Sequence, residues 1–202
     1  MAEKREYTQG VTPKGKLYWA HVYEPEKFEG KDIGFSVNMK FGTKETNAFI
    51  AKIDEELEKA KHNLKLKPGQ RWSSEPFMPY REDKDGDTVF KFKSASSYQT
   101  KDGVVHDRKI PVFDAHGKPV KDQLSIGNDT VARVAYTIVP YYISKAVNGI
   151  KLRLDALQII DLKEYGEKSA SGYGFEQEEG FDSTASDDPF TSDEEDTEDG
   201  EF

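Results

Sequence analysis

The chain has 202 residues, 33% of them charged and 35% hydrophobic, with 29 basic and 38 acidic side chains and a formal net charge of −9. It has no cysteine, which excludes disulfides and thiolate zinc sites and fits a reducing cytoplasm. No apolar run approaches the ~20 residues that cross a bilayer, and the opening MAEKREYTQG lacks the apolar stretch of a secretory signal, so a cytoplasmic protein with no membrane partner is expected.

Residues 1–15 read as a flexible N-terminal arm. The stretch GVTPKGK at 10–16 approximates a phosphate-binding loop, but Leu17 stands where a magnesium-binding hydroxyl is needed. The stretch LYWAHVY at 17–23 reads as a strand rather than the helix N-terminus that holds phosphate. No nucleotide site is therefore assigned. Residues 16–23 form a strand that stops at Glu24 and Pro25. Residues 33–41 alternate, with Phe35, Val37, Met39 and Phe41 on one face and Ser36, Asn38 and Lys40 on the other.

Residues 43–64 predict the one long helix. Ile50, Ile53, Leu57, Ala60 and Leu64 make an apolar stripe, with Thr43 or Thr46 as cap and Lys59, Lys61 and Lys65 near the end. From residue 70 the pattern is β again. Turn signals stand at Asp85-Gly86, Asp102-Gly103 and Ala115-His116-Gly117. Strands are predicted over 88–94, 131–143 and 150–162, the last two joined at Asn148-Gly149, a strong two-residue hairpin signal. Residues 165–175 are a Gly/Ser linker. Five to eight strands and one helix make the chain mainly β. The architecture expected for residues 16–164 is an OB-fold-like antiparallel β-barrel with one long α-helix. A β-sandwich is the alternative that periodicity does not separate.

Residues 176–202 hold thirteen Asp or Glu and no Lys or Arg, leaving 29 basic against 25 acidic side chains in residues 1–175. So acidic a run cannot bury enough surface to order itself and is expected to be a disordered tail. It mimics a polyanion, and it carries Phe181, Phe190 and a terminal Phe202 among its acids.

Catalytic patterns are missing. His21, His62, His106 and His116 are scattered outside metal-ligand spacings, and no G-x-S-x-G elbow occurs. EDKDGD at 82–87 has its glycine two positions early for a calcium loop and Ser94 where a closing Glu belongs, so it reads as a hairpin turn. No cofactor or metal is expected, and the chain is not read as an enzyme.

Binding patterns are present. Lys91 and Lys93 flank Phe92, Arg71 adjoins Trp72, and Tyr80 adjoins Arg81. Arg133 and Tyr136 share the long strand that pairs with the one bearing Lys151 and Arg153. Cations neutralise phosphates and rings stack bases. The candidate nucleic-acid contacts are Lys40, Trp72, Tyr80, Arg81, Lys91, Lys93, Arg133, Lys151 and Arg153. In the tail, Asp193, Glu194, Glu195, Asp196, Glu201 and Phe202 are the candidate partner-binding residues. Each strand candidate also has a bland reading, with the rings in the core and the lysines merely in solvent.

Several stretches together resemble the phage single-stranded DNA-binding proteins of OB-fold type with acidic C-terminal tails. They are TPKGKLYWAHVYEP at 12–25, FSVNMKF at 35–41 with the helix after it, PYREDKDGD at 79–87, GIKLRLDALQII at 149–160, and the closing DGEF. The resemblance implies sequence-independent binding of single-stranded DNA in replication or recombination, in a host-cell cytoplasm. It also implies no cofactor, and protein partners that read the tail. It carries over no individual DNA contact. Two other classes stay open: a structural or assembly protein whose tail serves solubility, and a nuclease using acidic metal ligands. A homo-oligomer is neither required nor excluded.

Overall fold

The computed structural model describes residues 7–63, 68 and 70–165. All of them fall in the first of the chain's two units, Met1–Gly166; the second, Glu167–Phe202, lies outside the described residues, as do the expected tail and all of its linker but Tyr165. In chain order the elements are β1 (Gln9–Val11), β2 (Gly15–Phe28), β3 (Lys31–Lys40), α1 (Thr43–Asn63), β4 (Tyr80–Glu82), β5 (Thr88–Ser94), β6 (Ser97–Gln99), β7 (Val105–Asp107), β8 (Val112–Phe113), β9 (Val131–Tyr142) and β10 (Asn148–Asp161).

Five strands close a ring. β2 pairs with β3, β3 with β5, β5 with β10, β10 with β9, and β9 returns to β2. Closure removes the sandwich alternative and gives the five-stranded barrel of the OB fold. One seam departs from the expected antiparallel pattern. β5 and β10 run parallel, with Leu152 opposite Phe92 and Arg153 opposite Lys93. A parallel neighbour needs a long crossover, and the chain between β5 and β10 supplies it.

The barrel interior is written in the alternation. Phe90 and Phe92 are wholly buried, with Val37, Met39, Val134, Ile138, Leu152 and Leu154 around them. An irregularity between Leu154 and Ala156 shifts the register of β10, after which Leu157 and Ile159 point inward. Helix α1 lays Phe49, Ile53, Leu57 and Ala60 on the core. Phe49, rather than Ile50 one position on, is the deep contact. Its ring meets Phe90 at 5.0 Å, Tyr136 at 5.1 Å and Phe41 at 5.7 Å. Burial of one such ring is worth about 1.5–3 kcal/mol. Leu64, the last residue of the expected stripe, is not among the described residues. Neither threonine caps the helix: the Gly42 carbonyl accepts the Thr46 N–H at 2.9 Å, while the Thr46 hydroxyl turns back to the Phe41 carbonyl.

Three further expectations are corrected. From Tyr7 onward the supposed arm belongs to the barrel. β1 pairs with β9, and Thr12 exchanges two hydrogen bonds of 2.9 Å with the backbone of Val134. β2 does not stop at Pro25 but continues to Phe28, because its pairing with β3 skips from His21 to Glu26 and asks nothing of the proline nitrogen. The β9–β10 turn precedes the Asn-Gly pair. Asn148 is already paired with Tyr142, and its carboxamide donates to the carbonyls of Ser144 and Lys145.

Candidate nucleic-acid interface

The outward rows of β3, β5 and β10 lie side by side. Lys91 is opposite Asn38, Lys93 is opposite Ser36, and Arg153 follows Lys93 across the parallel seam. Because inward positions are apolar and fixed, the intervening residues must project outward, which is why the lysines converge. β4 pairs Tyr80 with Phe90 and Arg81 with Val89, and so adds a wall. The segment before it is bound to β10 through Phe77.

These elements enclose a groove of about 380 Å³. Met78, Pro79 and Val89 contribute apolar surface, Phe77, Tyr80 and Tyr141 bring rings, and Arg81, Lys91, Lys93 and Lys151 bring cations. None of these four cations has an ion-pair partner among the described residues. Burial pushes the Tyr80 hydroxyl above its ordinary pKa, helped by the nearby Asp54 carboxylate, and burial alone does the same to Tyr141.

Five of the nine sequence candidates line this one groove: Tyr80, Arg81, Lys91, Lys93 and Lys151. Arg153 stands at its end, held in a closed set of bonds. Its Nε donates to Asp155 at 2.6 Å and its Nη2 to the Thr137 hydroxyl at 2.9 Å, while that hydroxyl donates to Asp155.

The other three stand apart. Lys40 is neutralised by Asp83 and Asp87, and Asp83 foremost holds its ammonium pKa well above the usual lysine value. Trp72 is half-buried, edge-on to Tyr142 at 5.9 Å, and its indole N–H is buried without a partner among the described residues. Arg133 lines a separate groove with Val11, Phe113 and Gln158.

Tyr136 is inside the barrel, where its hydroxyl accepts from Lys52 at 3.0 Å. Asn38, already expected on the outward face of β3, lines the groove together with Phe77 and Tyr141, and none of the three is among the nine candidates. The alternation along β9 was the available signal for Tyr141, which lies on the opposite face from buried Ile138. The four histidines do not gather, and among the described residues no three His, Asp or Glu side chains form a metal-sized cluster. Among the same residues no helix is long and apolar enough to cross a membrane.

The family model described as "Single-stranded DNA-binding protein, Bacteriophage T7" matches residues 32–162. The single-stranded DNA-binding protein of Enterobacteria phage T3 is 31% identical over 105 residues, covering 51% of this chain and 45% of that protein. That of Escherichia phage T7 is 34% identical over 91 residues, covering 44% and 39%. The matched stretch thus spans less than half the length of either relative. Among solved structures, gp2.5 of bacteriophage T7 superposes with a TM-score of 0.67 at 22% identity, covering 89% of this chain and 100% of that one. The single-stranded DNA-binding protein of bacteriophage Enc34, solved in complex with ssDNA, superposes with a TM-score of 0.53 at 14% identity, covering 78% and 88%. These structural likenesses speak for the barrel. The family match speaks for descent, and with residues 32–162 matched the chain belongs to the bacteriophage T7 family of single-stranded DNA-binding proteins.

Proposed function

We propose that this protein binds single-stranded DNA without sequence preference in the groove between β3, β4, β5 and β10, and serves phage DNA replication or recombination in the host cytoplasm. The observation that carries the reading is the set Arg81, Lys91, Lys93 and Lys151, which has no acidic partner among the described residues and is set around apolar surface flanked by aromatic rings. Cations along a groove track phosphates, and rings accept any base because every base has a π-face. Among the described residues the one helix packs on the core rather than being presented in the manner of major-groove readers, which agrees with tolerance of sequence. The names of the phage T3 and T7 relatives, and the ssDNA complex of the Enc34 protein, support the same reading. The protein acts by binding rather than by catalysis and needs no cofactor.

The acidic tail completes the reading. Residues 176–202 carry thirteen acids against a body with 29 basic and 25 acidic side chains. A tethered segment of this length reaches its own body at an effective concentration on the order of millimolar. It competes with DNA for the groove. Once displaced, it offers Asp193, Glu194, Glu195, Asp196, Glu201 and Phe202 to replication or recombination proteins.

The test is equilibrium binding of labelled oligonucleotides. Oligo-dT and mixed-sequence single strands should bind within a few-fold of one another and duplex of equal length far more weakly. Equal affinity for duplex, or no binding at low salt, overturns the proposal.

A further inference from the structure

Trp19 is the largest exposed aromatic side chain on the barrel, 63% accessible, and its backbone has φ 53. A bulky L residue adopts that left-handed conformation only where its surroundings impose it. The pattern explains what the distortion achieves. Leu17 points inward and Tyr18 outward, so regular alternation would carry position 19 into the core. The irregularity between Tyr18 and His21 throws the indole out instead.

The distortion is braced by the neighbouring segment that leads into β9. The Trp19 N–H donates to Asn128 Oδ1 at 3.1 Å, and the Asp129 N–H donates to the Leu17 carbonyl at 2.9 Å. The Tyr18 hydroxyl donates to Asp129 at 2.8 Å, and Lys16 pairs with the same carboxylate at 3.2 Å. Asp129 is itself left-handed, with φ 66. The indole has no ring partner among the described residues and takes no part in the core. A strained, braced and outward-facing tryptophan contributes little to folding and is placed for contact.

Its position identifies the contact. Tyr18 is opposite Asn38 and His21 opposite Ser36, and those two residues are opposite Lys91 and Lys93. Trp19 is therefore level with the two groove lysines, two strand spacings or about 10 Å away along the curved barrel surface. A single nucleic-acid strand laid on the lysines reaches it by following the curve of the barrel across β3. We infer that Trp19 is a stacking platform for a nucleobase of single-stranded DNA, extending the binding path from the groove across β3 to the β2 bulge. This inference rests on the reading of the groove as a DNA site.

The test uses the full chain. The protein has two tryptophans, so Trp72→Phe leaves Trp19 as the sole indole emitter. A dye-labelled oligo-dT is titrated while anisotropy reports complex formation and indole emission reports stacking. The expected result is quenching that follows the anisotropy isotherm. In the otherwise native protein, Trp19→Ala should weaken binding by about 5- to 150-fold with the salt slope unchanged. Trp19→Gly should lose as much affinity without lowering Tm, because glycine accepts the left-handed backbone freely. Saturable binding with unchanged Trp19 emission, or native affinity in Trp19→Ala, overturns this inference and leaves the groove reading standing. No anisotropy change at low salt overturns both.

Discussion

Phe77 lies backbone to backbone against Gly149. The Phe77 N–H donates to the Asn148 carbonyl at 2.8 Å, and the Ile150 N–H donates to the Phe77 carbonyl at 2.9 Å, so the two bonds straddle the glycine. A Cβ on Gly149 would stand 2.0 Å from the Phe77 oxygen, at a backbone φ of 155 that side chains rarely adopt. This contact fixes the segment that leads into β4, and with it the wall bearing Tyr80 and Arg81. Gly149→Ala should therefore cost about 1–3 kcal/mol, or about 2–12 °C in Tm, and weaken DNA binding as the wall shifts. Thermal unfolding together with oligonucleotide titration checks both effects.

The same glycine shows where the sequence was legible and where it was not. Strict alternation marked Phe35, Val37 and Met39 in β3, and Phe90 and Phe92 between Lys91 and Lys93 in β5. Inward and outward sets are a local property of a strand, and these residues fell as the pattern required. The helix was legible for the same reason, to within one position of its deepest side chain. Asn148-Gly149 misled because the pair resembles a turn, whereas the glycine is required by Phe77, seventy-two positions earlier in the chain. β1 escaped notice because three residues gain strand character only from distant β9. Trp72 and Tyr136 looked like free rings. Their neighbours, Tyr142 and Phe49, are set by tertiary packing that no window of sequence contains. The groove was half legible. The cations followed from alternation, but the parallel seam that joins Lys93 to Arg153 did not.

Lys40 separates a bound cation from an available one. Asp83 and Asp87 already neutralise it. Lys40→Ala should leave oligonucleotide affinity within about two-fold and the salt slope unchanged, whereas Lys91→Ala should reduce that slope by about 0.7. Parallel salt titrations of the two variants decide the point.

Asp129 gives the fold an acid-sensitive brace. The Tyr18 hydroxyl, followed by Lys16, holds its carboxyl below the usual aspartate range. A group depressed in the folded state contributes stability above its unfolded pKa of about 4, and that contribution is lost as pH falls through the lower folded value. Asp129→Asn should lower Tm by about 1–4 °C at neutral pH and show a shallower loss between about pH 5 and 3. Tm measured against pH for both proteins tests the sign.

Removal of residues 176–202 should tighten DNA binding by about tenfold or more at low salt, with the advantage shrinking as salt screens the tail. Phe202→Ala should leave DNA affinity unchanged and weaken capture of a tail-reading partner. Equal affinity with and without the tail at low salt would return the tail to a solubility role.

The central claim is that the cations of the β5–β10 groove, which have no ion-pair partner among the described residues, neutralise DNA phosphates. It is tested most directly by the salt dependence of oligo-dT affinity between about 50 and 200 mM, for the native chain and for Lys91→Ala/Lys93→Ala/Lys151→Ala. The expected result is a variant with native Tm, weaker binding, and a log–log slope shallower by about 2. A variant with native Tm that keeps the native slope and affinity would contradict the account.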